Sequence, residues 1–182
     1  LRMQMVFQDP FNSLNPRRTV GSQIADSVAL AKRLGGTSPM DATDWLEKVE
    51  LSSDDATAFP HRFSGGQRQR IAIARALAAE PTLLIADEPI SALDASLQAQ
   101  IADLMSRLVR DSGAGMLFIS HDLAVVRLIA DRIMVMKAGK IVEEGPTEQV
   151  WNHPQHEYTQ TLLASIPLPD GLGRLPGLAP TP

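Results

Sequence analysis

The residues best suited to chemistry fall in short stretches spread along the chain. Ser64-Gly65-Gly66-Gln67 has the spacing of a capping box, in which the Ser64 hydroxyl and the Gln67 amide satisfy free backbone N–H groups at a helix start. The cap leaves the glycine pair unexplained, because glycine in a helix costs about 1 kcal/mol per residue against alanine. With no Cβ atoms in the way, an anion can sit directly on first-turn N–H groups, with the positive end of the helix dipole behind it. Asp87-Glu88 closes the apolar run Thr82 to Ala86, so two carboxylates stand at a strand end, with Asp87 near the rim and within reach of a metal shell. Gln8 ends another strand-like stretch, Met3 to Phe7, where an amide can coordinate a metal or orient water. His121 follows Met116-Leu117-Phe118-Ile119, and Asp94 closes Ser91-Ala92-Leu93-Asp94. Taken singly, each has an ordinary reading: a capped helix, a solvated turn, a surface glutamine, a histidine beside a helix N-cap. His61 stays in that class as a loop side chain, since no second histidine or carboxylate stands at metal-ligand spacing.

The elements between these stretches decide which of them meet. Met3 to Phe7 reads as a short buried strand, and Phe11-Asn12-Ser13-Leu14-Asn15-Pro16 carries turn chemistry. From Thr19 to about Ala79 the pattern is helical. Val20, Ile24, Val28 and Ala31 mark one apolar face, Gly35-Gly36 ends that helix, and Ser38-Pro39 restarts one in N-cap and N1 order, burying Trp45, Leu46 and Val49. Thr82 to Ala86 lies between prolines, is too short for a helix and lacks alternation, which predicts a strand buried on both faces. Leu97, Ile101, Leu104 and Leu108 then hold one helical face until Gly113-Ala114-Gly115, and Met116 to Ile119 forms the next strand. Strand, helix, strand is a βαβ unit, whose right-handed crossover makes the strands parallel. Their C-terminal ends share one edge, which brings Asp87, Glu88 and His121 to a single rim, where open α/β sheets bind ligands. Beyond it come a short helix, Leu123 to Ala130, and two strands, Arg132 to Met136 and Lys140 to Val142, closed by Lys137-Ala138-Gly139. Past Pro167 proline and glycine recur with few large apolar residues, as in a flexible tail.

Bulk properties narrow the function classes. The chain has 182 residues with 44% hydrophobic and only 4% aromatic content, enough for one domain with a core of Leu, Ile, Val, Ala and Met. A net charge of −4, with scattered arginines, argues against non-specific nucleic-acid binding. Having no cysteine, the sequence has no disulfide, thiolate metal site or cysteine nucleophile. No apolar run reaches the roughly 18 residues that cross a bilayer.

Phe63 to Leu77, with its Ser-Gly-Gly-Gln core, resembles the signature motif of ATP-binding-cassette (ABC) ATPases, and Leu83-Leu84-Ile85-Ala86-Asp87-Glu88-Pro89 resembles their Walker B strand. Val6-Phe7-Gln8-Asp9-Pro10 is similar to the Q-loop, Ser91-Ala92-Leu93-Asp94 to the D-loop, and Ser120-His121-Asp122 to the switch histidine, all in family order. The resemblance implies an α/β fold of P-loop NTPase type, with a mostly parallel sheet and an inserted helical subdomain. It divides the chain into strand and Q-loop at 1–18, helical subdomain at 19–80, catalytic core at 81–150, and C-terminal extension with tail at 151–182. It implies ATP and Mg²⁺ as ligands. Asp87 and Gln8 would act on Mg²⁺, Glu88 would be the general base, and His121 would contact the γ-phosphate. Ser64, Gly65, Gly66 and Gln67 would close over ATP held by a second nucleotide-binding domain, a homodimer or heterodimer partner that Asp94 would meet.

His153-Pro154-Gln155-His156-Glu157-Tyr158-Thr159, where Gln155-His156-Glu157 interrupts the usual His-Pro-Tyr-Thr order, resembles the C-terminal extension of the oligopeptide, dipeptide and nickel branch of ABC importers. That branch implies membrane permease subunits, indirectly a periplasmic or extracellular solute-binding protein, no nucleic acid, and a peripheral place on the cytoplasmic side of the membrane. The sequence contains no Gly-x-x-x-x-Gly-Lys-Ser/Thr, the P-loop that cradles phosphates; Gly139-Lys140 is a turn. The expectation is therefore the C-terminal portion of an importer's ATP-binding subunit, unable by itself to bind ATP tightly or hydrolyse it, and of doubtful folding alone. The alternatives are an ABC ATPase with no transport role and a degenerate, non-catalytic interaction module.

Overall fold

The computed structural model describes residues 2–9 and 13–166, which divide between His121 and Asp122 into two compact units. In the first, β1 (Met3–Val6), β2 (Leu83–Asp87) and β3 (Gly115–Ile119) form a parallel sheet in that order. Val6 lies opposite Ala86, and Asp87 opposite Ile119. Helices α1 (Val20–Arg33), α2 (Ala42–Lys48) and α3 (Gly65–Leu77) intervene between β1 and β2, while α4 (Ala95–Ser112) makes the crossover to β3. The expected βαβ unit is present, with parallel strands.

Local chemistry sets most of these boundaries. The Thr19 hydroxyl caps α1 by accepting the Ser22 N–H, and Val20, Ile24, Val28 and Ala31 are buried as their spacing predicts. Gly113, at φ +67°, ends α4 in the left-handed conformation that glycine adopts without a Cβ penalty. The start of α2 differs from expectation. Asp41, not Ser38, is its N-cap: the Asp41 carboxylate accepts the N–H groups of Thr43 and Asp44, and the Asp44 carboxylate accepts the Asp41 N–H. A charged carboxylate at a helix start outcompetes a serine hydroxyl. Ser38 instead closes a local turn by accepting the Met40 N–H.

The sheet is also less enclosed than the apolar runs suggest. Leu84 and Ala86 are fully buried, as are Ile71, Ile101 and Met105, whereas Leu83 and Ile85 are only half-buried. Met3, Leu117 and Ile119 share the second face and are exposed. Of β1 only Val6 is buried, and Phe7 is exposed, so the expected fully buried strand is not observed among the described residues.

The second unit contains α5 (Leu123–Ile129), the antiparallel hairpin β4 (Arg132–Lys137) and β5 (Lys140–Pro146), α6 (Thr147–Asn152) and α7 (Glu157–Ala164). Ala138 and Gly139, both at positive φ, make the tight turn between the strands. Ile133, Val135 and Val150 form its core, with Val126, Val142, Tyr158 and Leu162 around them. Neither α6 nor α7 stood out in the sequence. The Glu143 carboxylate on β5 accepts the N–H groups of Gln155 (2.8 Å) and His156 (3.0 Å), fastening the segment before α7. Burial pushes this carboxyl's pKa up, but those bonds, the Thr159 hydroxyl and the neighbouring His156 together hold it below the ordinary value. The expected flexible tail past Pro167 lies outside the described residues.

Candidate functional site

The site is built by strand ends. Gln8 follows β1, Glu88 follows β2 and His121 follows β3, so the parallel order delivers all three to the C-terminal edge of the sheet. They meet on one carboxylate. Gln8 Nε2 lies 3.4 Å from Glu88 Oε2, and His121 Nδ1 lies 3.3 Å from Glu88 Oε1. The Glu88 side chain is 31% exposed and that of His121 70%, which leaves the carboxylate flanked by two polar groups yet open to water. A carboxylate so placed can take a proton from a water molecule, and an imidazole beside it can contact an anion.

The backbone at Glu88 is unusual. Its φ of +46° lies in the left-handed region, which costs a residue with a Cβ about 1–2 kcal/mol. Hydrogen bonds hold it there. The Glu88 N–H donates to the Ile119 carbonyl at 2.9 Å, and the Glu88 carbonyl accepts both the Ser91 N–H at 3.3 Å and the Ser91 hydroxyl at 3.1 Å. Ser91 was legible as part of a motif but not in this role.

Asp87 is the last residue of β2, half-buried, at the same strand ends as Gln8 and Glu88. Carboxylate and amide oxygens are hard donors, the type Mg²⁺ takes when one or two carboxylates and phosphate oxygens complete its shell with water. Among the described residues no group of three or more His, Cys, Asp or Glu forms a metal cage. Such a donor set fits Mg²⁺ held jointly with phosphates.

The serine-glycine-glycine-glutamine turn begins α3 as its spacing predicts. The Ser64 hydroxyl accepts the Gln67 N–H at 3.3 Å, and the Gln67 side-chain oxygen accepts the Ser64 N–H at 2.9 Å. This pair leaves the Gly65 and Gly66 N–H groups outside the cap. The two glycines, however, have different surroundings. A Cβ on buried Gly66 would sit 2.4 Å from Leu97 Cδ2 on α4, the far end of a half-buried side chain, so a side chain there would have to displace Leu97. One on half-buried Gly65 would meet only Leu93 Cδ2, at an ordinary 3.9 Å. Gly66 thus lies close against Leu97 as well as in the first turn, whereas Gly65 has ordinary contact distance beside it.

Beside this turn lies a shallow groove of about 390 Å³, bordered by Glu50, Gln67, Arg70 and Leu97. Glu50 bridges α3 and α4 through Arg70 and Arg107, and these arginines, Arg70 first, lower its pKa from the ordinary 4.5. Asp94 is the N-cap of α4: its carboxylate accepts the Leu97 N–H at 3.0 Å and the Ser96 hydroxyl at 2.9 Å, which also lowers its pKa. The structure thus gathers Gln8, Glu88 and His121, with Asp87 at the same edge, and sets Gly65 and Gly66 against Leu93 and Leu97 at the start of α4.

Residues 142–182 match the family described as oligopeptide/dipeptide transporter, C-terminal region. The chain is 52% identical over 172 residues to the oligopeptide transport ATP-binding protein OppF of Bacillus subtilis, covering 93% of this chain and 56% of that protein. It is 50% identical over 167 residues to the glutathione import ATP-binding protein GsiA of Escherichia coli O157:H7, covering 91% of this chain and 27% of that one. The chain therefore spans about half the length, or less, of these curated relatives. Among solved structures, cbiO1 from Clostridium perfringens, part of an ABC transporter complex, superposes with a TM-score of 0.69 at 28% identity over 84% of this chain and 60% of that one. The ATP-binding cassette MJ0796, solved as a post-hydrolysis dimer with ADP and phosphate, gives 0.63 at 31% identity over 80% of this chain and 63% of that one. The ABC transporter family model covers residues 1–91, from β1 through the capped glycine turn to the Asp87-Glu88 rim, and the chain belongs to the ABC transporter family.

Proposed function

We propose that this chain forms the Q-loop, signature, Walker B and switch-histidine part of an ATP-hydrolysing subunit that energises a peptide-class ABC importer. The observation that carries this is the convergence of Gln8 and His121 on the water-accessible Glu88 carboxylate. Glu88 takes a proton from the water that attacks the γ-phosphate, a general-base role worth about 10²–10⁴-fold in rate. His121 contacts the transferred phosphoryl oxygens, and Gln8 holds the water and the metal shell in register with Glu88. Asp87 and Gln8 would hold Mg²⁺, which when bound neutralises charge on the β- and γ-phosphates.

Gly65 supplies open first-turn backbone N–H groups to an ATP carried by a second nucleotide-binding domain, with Ser64 and Gln67 fixing the turn and Gly66 letting it lie close against α4. Asp94, as the cap of α4, keeps the neighbouring loop shaped for that partner. OppF is named for oligopeptide transport, and residues 142–182 match an oligopeptide and dipeptide transporter region, which favours peptide import over a role outside transport. Permease subunits and a solute-binding protein are then the further partners, with the chain peripheral on the cytoplasmic face. No helix among the described residues is long and apolar enough to cross a membrane.

The test is a chimera in which this chain replaces the matching segment of the Bacillus subtilis relative, so that a P-loop is present. It should hydrolyse ATP, and Glu88→Gln should cut turnover at least 100-fold with nucleotide binding retained. A folded, ATP-binding chimera whose turnover ignored Glu88→Gln would overturn the proposal.

A further inference from the structure

We infer that the Ser91 hydroxyl is a positioning group for Glu88, holding that residue's backbone in the left-handed conformation that sets its carboxylate between Gln8 and His121. This rests on Glu88 being the base proposed above. A glutamate at φ +46° returns to the right-handed or extended region unless its peptide groups are tied. The Glu88 N–H is tied to the Ile119 carbonyl by backbone alone, and the Ser91 N–H reaches the Glu88 carbonyl at 3.3 Å, a long bond that any non-proline residue at position 91 would make. The hydroxyl, at 3.1 Å to the same carbonyl, is the part of the restraint that depends on side-chain identity. Only serine or threonine supplies it at this reach. The turn between the two residues is anchored at Ile90, which is 2% exposed, so the hydroxyl acts on a fixed frame and its force falls on Glu88.

The lever is sensitive because both carboxylate contacts, 3.4 Å to Gln8 and 3.3 Å to His121, stand near the limit of hydrogen bonding. Relaxation at the Glu88 backbone breaks both together. A misplacement of about 1 Å in a reacting group can cost about 100-fold in rate.

The experiment follows backbone amide exchange by NMR on the 182-residue chain, comparing Ser91→Ala and Ser91→Thr with the native sequence. Ser91→Ala should speed exchange at the Glu88 amide about fivefold. It should also remove the nuclear Overhauser contact between the Glu88 and His121 side chains, leaving Leu84 and Ala86 amides unchanged; Ser91→Thr should restore both. Unchanged Glu88 exchange in Ser91→Ala, acceleration shared equally by Leu84 and Ala86, or failure of threonine to rescue would each overturn the inference. In the ATP-hydrolysing chimera, Ser91→Ala should lower kcat about tenfold with KM for ATP unaltered, while Ser91→Thr keeps native kcat. Should the Glu88 exchange respond while turnover ignores both Ser91→Ala and Glu88→Gln, the positioning contact stands and the catalytic reading of Glu88 falls.

Discussion

Replacing Gly65 and Gly66 separately by alanine should move stability in opposite directions. At Gly66 a methyl group would lie 2.4 Å from Leu97 Cδ2 and 3.2 Å from its Cγ, so either Leu97 leaves its place or α3 and α4 part. Because the atom met is the free end of a half-buried leucine, the cost lies at the low end of the roughly 1–3 kcal/mol of overpacking, against a helix-propensity gain of up to about 1 kcal/mol that is smaller in a first turn. The net expectation is a loss of about 0.5–1 kcal/mol. At Gly65 the same methyl group meets Leu93 at 3.9 Å, with no positive φ to strain, so the propensity gain of a few tenths to about 1 kcal/mol survives.

Urea denaturation of the three proteins reads both effects as shifts of midpoint at constant slope. Leu97→Val makes room beside position 66 without the large cavity of an alanine. In the Gly66→Ala background it should therefore cost less than in the native one, a coupling of about 1 kcal/mol in a double-mutant cycle. In the ATP-hydrolysing chimera, Gly65→Ala should depress ATP-driven dimer closure even as it raises the midpoint. Should Gly66→Ala stabilise as much as Gly65→Ala, with no coupling to Leu97, the packing account of Gly66 fails.

Other expectations follow from single sites. Gln69 is fully buried on α3, and neither end of its amide has a hydrogen-bond partner among the described residues. Gln69→Met should therefore be neutral or stabilising by about 1 kcal/mol, and a loss above about 2 kcal/mol would show that the amide has a partner after all. Glu50, whose pKa is lowered by Arg70 and Arg107, contributes stability that is present above its unfolded value near 4.5 and lost as pH falls through its depressed folded value. Its side chain is 54% exposed, so screening holds the term to about 0.5 kcal/mol, and the gap between native and Glu50→Gln denaturation midpoints should close on going from pH 7 to pH 3.

What could be read in the sequence was whatever depends on neighbours along the chain. The Ser64 cap sits at the start of α3, and the crossover through α4 makes β2 and β3 parallel, which is why Glu88 and His121 could be assigned to one rim without coordinates. Where two local signals competed, the stronger electrostatic one won: Asp41 displaced Ser38 as the cap of α2. Burial was less legible. A run such as Leu83-Leu84-Ile85-Ala86 states that its side chains are apolar, not what lies against each face, and the described residues fully cover only the face of Leu84 and Ala86. The helices α6 and α7 escaped notice because six- and eight-residue segments carry too little periodicity to register.

The same distinction applies at the site. The βαβ order was enough to bring Glu88 and His121 to one rim, whereas Gln8 was nominated only by its place in the series of motifs. The left-handed backbone of Glu88 was hidden, since glutamate has no preference for it and its cause lies in Ile119, on the neighbouring strand, and in a side chain three positions on. The glycine pair is the sharper case. Two identical residues side by side invite one explanation, yet a Cβ on Gly66 would enter Leu97 while one on Gly65 would enter open contact distance. A residue missing its side chain records that something must come close, but not whether that is a ligand or a neighbouring helix. Gly66 lies against the Leu97 side chain, which sets the turn beside the segment that carries Leu93, Asp94 and Leu97.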